Sequence, residues 1–368
     1  MKYGILSLNL YQRDNNWGSV LQSWALQNAL KDIGVEAYIV NFKPKLMKWN
    51  YAKYPFLRVL PYHIRRMDYL LDSKNYYIRD TKFQRFYRDY YEISSLCDKN
   101  NIGSLDVDGF VVGSDIVWNE DFWEGIEDAY FCAYEGMKKE NNMAYGPSMS
   151  RNGFSDVIEN MLPKLLDNFK YLSVRETEKQ SYIQKFSKYN VETVLDPTLL
   201  YGCEKYENIT SERMIKEKYV LVYCVVLNEK LVEYASDYAK KKNLKLASIK
   251  CCPGGKRKIK DAIIFDSAGV EEWLSLIKYA EVIFTSSFHA CVFSILFKKE
   301  FYAVYNSFGS EKIVSLMNKL EINNHCFDRD EYLYVPDSID YEKTYKLMDM
   351  HRKKSYDFLS NLKGMGEN

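Results

Sequence analysis

The sequence predicts an α/β protein of two parallel-sheet domains with a cleft between them. Three observations predict it. The chain has 368 residues, which suits two domains of about 100–200 residues each. Short apolar, strand-like runs alternate with stretches whose apolar residues recur at helical spacing, the pattern that builds parallel sheets covered by helices. A polar stretch at 202–217 has no periodic core pattern, and the alternation restarts after it, which places the domain boundary there.

Residues 2–9 read as the first strand. Residues 17–33 follow as a helix carrying Leu21, Ala25, Leu26 and Leu30 at helical spacing, and Gly34 ends it. Further strands are expected at 36–40, 107–112, 142–145, 171–174 and 191–195, with helices near 155–168 and 176–187. Segment 44–100 breaks the alternation and reads as a helical insertion. The second series runs strand 219–226, helix 228–242, strands 244–249 and 261–265, helix 269–279, strand 281–285, helix 287–297, strand 301–305 and helix 310–320. A charged helix at 340–362 is expected to pack back on the first domain. The expected domains are thus 1–205 with the insertion at about 44–100, then 206–338, then a terminal helix in 339–368.

Composition excludes several classes. Hydrophobic residues make up 47% and charged residues 27%, enough to bury two cores. Lys and Arg total 51 against 50 for Asp and Glu, a net charge of +1, which argues against nucleic-acid binding. The longest apolar run, 219–227, is too short to span a bilayer. Residues 1–16 lack the apolar core and cleavage site of a signal peptide, so a cytoplasmic location is expected. The eight cysteines include no C-x-x-C pair and there are four histidines, so no metal site is expected and the thiols read as reduced. Aromatic residues reach 15%, with 32 tyrosines, which fits core packing and sugar stacking alike.

In open α/β sheets ligands bind at the carboxyl ends of the strands. Six expected strands are followed there by small polar residues. These are Asn16, Trp17, Gly18 and Ser19; Ser114, Asp115, Trp118 and Asn119; Gly146 to Ser148; Arg175 and Glu176; Ser286, Ser287 and His289; and Asn306 to Lys312. Ser286 or Ser287 can cap a helix whose first turn carries His289, and free N–H groups of such a turn attract anions. A second helix start follows, with Gly309, Ser310 and Lys312. Two such helix starts suit a small phosphorylated ligand. Asp115 reads either as a turn cap or as an acceptor for a substrate hydroxyl. Arg175 reads either as a carboxylate ligand or as a salt-bridge partner of Glu176 or Glu178. Asn16 and Trp17 read equally as a cap and a core aromatic.

These signatures, in order, resemble the polysaccharide pyruvyl transferase family. The likeness is carried by N-W-G-S-V-L-Q-S-W-A-L-Q at 16–27, V-V-G-S-D-I-V-W-N at 111–119, A-Y-G-P-S at 144–148, S-V-R-E at 173–176, V-L-D-P-T-L-L at 194–200 and S-F-H-A-C-V-F-S at 287–294. It runs from residue 3 to about 320. The chain departs from the family's usual residues at Ile116, near Ser286 and at Ala290.

The resemblance implies two Rossmann-like domains arranged as in GT-B glycosyltransferases, with the first on the acceptor side and the second on the donor side. It implies phosphoenolpyruvate as donor, a saccharide or lipid-linked saccharide as acceptor, a pyruvate ketal and phosphate as products, and no cofactor. On that reading His289 is the general acid and Asp115 orients or deprotonates an acceptor hydroxyl. Arg175, Ser287, Ser310 and Lys312 hold donor anions. Asn16, Trp17, Gly18, Ser114, Trp118 and Asn119 form the acceptor side, with Trp17 and Trp118 as stacking faces.

Residues 43–67 carry Lys43, Lys45, Lys48, Lys53, Arg58, Arg65 and Arg66 without an acid, interleaved with aromatics. That composition suits a solvated or acceptor-facing loop, and also peripheral contact with the inner face of an anionic membrane. Two rival functions stand beside pyruvyl transfer. A nucleotide-sugar glycosyltransferase would need a ribose-binding acid, for which Glu271 or Glu272 could serve. A non-catalytic carbohydrate-binding relative would fit the departures at Ser286 and Ala290.

Overall fold

A computed structural model describes residues 1–10, 15–44, 73–120, 123, 125–137, 140, 142–149, 153–225, 228–250, 259–305, 311–328 and 338–363. The chain forms two compact units.

The first unit comprises Met1–Tyr51, Arg88–Tyr201 and Lys346–Asn368. Its sheet has six strands, β1 (Lys2–Leu6), β2 (Glu36–Ile39), β3 (Gly109–Asp115), β4 (Met143–Pro147), β5 (Tyr171–Val174) and β6 (Val191–Thr193). Their order is β2-β1-β3-β4-β5-β6, and every pairing is parallel. A parallel sheet covered on both faces wants continuous apolar strands. β3 and β4 are buried at every position, and β3 carries polar side chains only at its carboxyl end, Ser114 and Asp115. Helix α1 (Trp17–Asp32) starts where the Asn16 carboxamide accepts the N–H groups of Gly18 and Ser19. It stops before Gly34, whose φ of +81° suits a residue without a side chain. Gly113 lets α1 approach β3: a methyl there would lie 2.5 Å from Leu26 Cδ2.

The helix expected at 155–168 is two short helices, α3 (Asp156–Glu159) and α4 (Leu162–Leu166), numbered after α2 below. Pro163 explains the break. It lacks an N–H to continue α3, and it sits in the first turn of α4, where none is needed. Helix α5 (Thr177–Gln184) joins β5 to β6. The last helix, α11 (Tyr341–Ser360), has its residues from Lys346 in this unit. There Arg352 donates to the carbonyls of Leu199 and Tyr201, and the Ser355 hydroxyl accepts the Leu195 N–H.

The second unit comprises Ala52–Tyr87 and Gly202–Tyr345. Its strands are β7 (Tyr219–Tyr223), β8 (Lys245–Ile249), β9 (Ala262–Phe265), β10 (Val282–Thr285), β11 (Glu300–Tyr305) and β12 (Cys326–Asp328). They lie parallel in the order β12-β11-β10-β7-β8-β9. Its helices are α6 (Cys203–Glu207), α7 (Glu229–Lys241), α8 (Val270–Lys278), α9 (Phe288–Leu296) and α10 (Glu311–Lys319). Two elements were not expected from sequence. Five-residue α6 is anchored by buried Tyr206 edge-on to Phe293, and three-residue β12 pairs β11. Both are too short to show a period.

Of the segment expected as an insertion, helix α2 (Ser73–Tyr90) is described, and its residues through Tyr87 group with the second unit. There the buried Arg79 guanidinium donates to the carbonyls of Lys250 and Asp266, at the ends of β8 and β9. Lys82 pairs with Glu272 at 2.6 Å and Arg85 with Glu271 at 3.0 Å.

Each sheet reverses its direction of build once. In the first the reversal falls between β1 and β3, and in the second between β7 and β10. Such switch points leave a crevice at the carboxyl ends of the two central strands.

Candidate functional site

At the switch point of the first unit lies a buried polar network. Asp115 ends β3 with φ +73°, a left-handed conformation that is uncommon for a residue with a side chain. Its Oδ1 accepts the Ile116 N–H at 2.9 Å, and its Oδ2 accepts the Ser19 hydroxyl from the first turn of α1. Ser7, just past β1, donates to the Ser114 carbonyl at 3.0 Å and so ties the two central strands together.

Arg175, just past β5, is the hub of the network. Its Nη1 donates to Asp196 Oδ2 at 2.5 Å and to Ser114 Oγ at 3.3 Å, and its Nε donates to Glu176 Oε1 at 3.1 Å. Its Nη2 stands 3.8 Å from Asp115 Oδ1. Burial disfavours the guanidinium charge, but Glu176, Asp196 and Asp115 outweigh it and raise the Arg175 pKa above its ordinary value. Ser148 donates to Glu176 at 2.5 Å, while Asp196 Oδ1 accepts from the Thr198 N–H and hydroxyl.

At the switch point of the second unit the chain turns from β10 into α9. The Thr285 hydroxyl donates to the Tyr223 carbonyl at 2.6 Å, across the two central strands, and accepts the Ser287 N–H at 3.0 Å. Ser287 caps α9 by accepting the Ala290 N–H. His289 therefore lies in the first turn of α9, with its ring edge-on to Phe288 at 5.1 Å. It is 6% exposed. Lys312, in the first turn of α10, places its ammonium 5.9 Å from the centre of the same Phe288 ring. A helix start carries about half a positive charge, and no acid occupies the first turn of α9. The arrangement favours an anion. Beside it, burial pushes the Cys224 thiol up to about 11, against hydrogen bonds from Asn228 and Ser286 that lower it.

The structure thus brings His289, Ser287 and Lys312 together in the second unit, and Asp115 and Ser114 together in the first. Gly309 and Ser310 lie outside the described residues, as does all of the 43–67 segment except residues 43 and 44.

Three expectations change. Arg175 is held by carboxylates, so its guanidinium organises the first unit's network rather than a donor anion. Trp118 is fully buried, stacked on Phe131 at 5.1 Å and donating its N–H to the Tyr130 carbonyl, so it offers no sugar-stacking face. Trp17 is likewise buried. Of the other acceptor-side residues, Gly18 and Asn119 are buried and Asn16 is an exposed helix cap. The glutamates considered for ribose, Glu271 and Glu272, are ion-paired with Arg85 and Lys82. The Arg175–Glu176 pair is one of the two readings the sequence offers for Arg175; Ser19, Ser148 and Asp196 carry no sequence signal as its fellow network members, although all three lie inside the motif segments quoted above.

Two parallel sheets with polar clusters at their switch points define an α/β protein of the two-domain GT-B type. In overall fold it is similar to the UDP-GlcNAc 2-epimerase of Methanocaldococcus jannaschii in complex with UDP-GlcNAc and UDP, at 12% identity and a TM-score of 0.50 over all of both chains. ADP-heptose lps heptosyltransferase II of E. coli aligns over all of both chains at 9% identity with a TM-score of 0.40. No curated protein matches the chain. The sequence is more specific: residues 16–307 match the polysaccharide pyruvyl transferase family model, and the chain belongs to that family. No helix among the described residues is long and apolar enough to cross a membrane.

Proposed function

We propose that the protein transfers the three-carbon unit of phosphoenolpyruvate to two hydroxyls of a saccharide, in a polysaccharide or its precursor, forming a pyruvate ketal and releasing phosphate. The observation that carries this reading is the pairing of His289 and Lys312 around Phe288 at the second sheet's switch point. The donor is a small anion with a phosphate and a carboxylate. Lys312 and the N–H groups of the first turn of α9 offer it positive charge. Ser287 accepts from Ala290 yet keeps its own O–H to donate.

The steps balance without an oxidant or reductant. His289 gives a proton to the methylene carbon, which becomes a methyl group as positive charge develops at the central carbon. The first acceptor hydroxyl forms a C–O bond there and gives its proton to Asp115. The bond to phosphate then breaks, its electron pair leaving with the phosphate. The second hydroxyl closes the ring, and its proton is carried off by the phosphate or by solvent. Asp115 suits its role because its carboxylate already accepts one hydroxyl, that of Ser19.

Thermal unfolding with candidate donors tests the reading. Phosphoenolpyruvate is expected to raise the melting temperature and nucleotide sugars to leave it unchanged. The reverse pattern would favour a glycosyltransferase. Stabilisation without phosphate release, across galactose-, mannose- and N-acetylhexosamine-type acceptors, would favour a binding protein.

A further inference from the structure

We infer that Ser19 is the positioning residue for Asp115, an inference that rests on the acceptor role proposed for that carboxylate. The main chain of Asp115 is fixed twice, because its carbonyl accepts the N–H groups of Val117 at 2.9 Å and Ser148 at 2.8 Å. The carboxylate is fixed at both oxygens. Oδ1 takes the Ile116 N–H and faces Arg175, and Oδ2 takes the Ser19 hydroxyl.

Ser19 is itself held in place. Its N–H is capped by Asn16 at 3.2 Å, and its carbonyl accepts from Gln22 Nε2 at 3.0 Å and from the Ser23 hydroxyl at 3.1 Å. The Gln22 amide also donates to Ser7, which is bonded to the carbonyl before Asp115. The first turn of α1 is thereby locked to the ends of β1 and β3. The other charged groups of the network, Glu176 and Asp196, are bonded to Arg175.

One hydroxyl donated to Oδ2 stops the carboxylate from rotating and leaves its remaining lone pairs directed at an incoming acceptor. In the transfer step the acceptor O–H bond breaks, its proton goes to the Asp115 carboxylate and its electron pair forms the new C–O bond. Ser19 keeps its own proton throughout, and the carboxyl group later returns the transferred proton to solvent.

Steady-state kinetics of phosphate release, with phosphoenolpyruvate and a panel of saccharide acceptors, tests this on the full chain. Ser19→Ala is expected to lower kcat roughly 10–100-fold with an unchanged KM for phosphoenolpyruvate. Ser19→Thr, which keeps the hydroxyl, is expected to recover activity to within about threefold of the parent. In an Asp115→Asn background Ser19→Ala is expected to add less than about twofold, since one function is lost only once. An unchanged kcat in Ser19→Ala, a fully additive loss in the double variant, or a loss that tracks melting temperature and is not rescued by Thr would each overturn the inference while leaving pyruvyl transfer standing. A parent protein that releases no phosphate with any acceptor would overturn the transfer reading and this inference with it.

Discussion

Arg175 donates from Nη1 to Asp196 Oδ2 at 2.5 Å, with both side chains at most 2% exposed. The bond joins the end of β5 to the residue that opens the Asp196–Pro197 turn. Removing one member of such a pair strands a buried charge, which costs about 3–5 kcal/mol. Asp196→Ala and Arg175→Ala are each expected to lose stability on that scale in urea unfolding. A loss below about 1 kcal/mol in both would show that the pair is not structural.

Lys312 faces the Phe288 ring beside His289. Lys312→Ala is expected to weaken phosphoenolpyruvate binding by roughly tenfold, about 1.4 kcal/mol, in titration calorimetry. The gap between parent and variant is expected to narrow as salt rises, because the ammonium is partly exposed. Equal affinities at low salt would remove Lys312 from the donor site.

Trp118 packs in the core against Phe131 and Phe169. Trp118→Ala is expected to cost about 3–5 kcal/mol, the range for truncating a buried aromatic. Trp118→Phe is expected to leave the KM for the saccharide unchanged. A rise in that KM without loss of stability would restore the stacking role expected from sequence.

Alkaline pH is expected to destabilise the fold. Burial pushes the Cys97 and Cys224 thiols up to about 11 from an ordinary 9.0, and the Tyr3 and Tyr182 phenols up to about 12 from 10.0. The fold keeps these groups neutral where the unfolded chain would ionise them. Their contribution is whole below pH 9 for the thiols and pH 10 for the phenols, and is lost as pH climbs toward 11 and 12. Melting curves are expected to fall over that window, and a flat profile to pH 11 would contradict the assignment.

Much of the fold was legible because parallel strands write themselves as apolar runs and helices end on capping residues. The strand at 171–174 was read to the residue, and Gly34 closed α1 as expected. What stayed hidden lacked a period: α6, β12 and the break at Pro163. The order of strands within each sheet was hidden too, and with it the two switch points. In the candidate site, the helix starts at Ser287 and Lys312 were readable as local caps and charges. The choice among partners for Arg175 was not. Glu176 is its neighbour in sequence, but Asp196 lies 21 residues on and reaches it only because β6 pairs with β5. The Ser19 contact with Asp115 spans 96 residues and required β1 and β3 to be neighbours.

The central claim is that the helix start bearing His289 turns over phosphoenolpyruvate. Phosphate release by the parent and by His289→Ala, with a saccharide acceptor present and the fold checked by circular dichroism, tests it most directly. Acceptor-dependent release by the parent, lost in a folded His289→Ala, is the predicted result. Equal release by both proteins would contradict it.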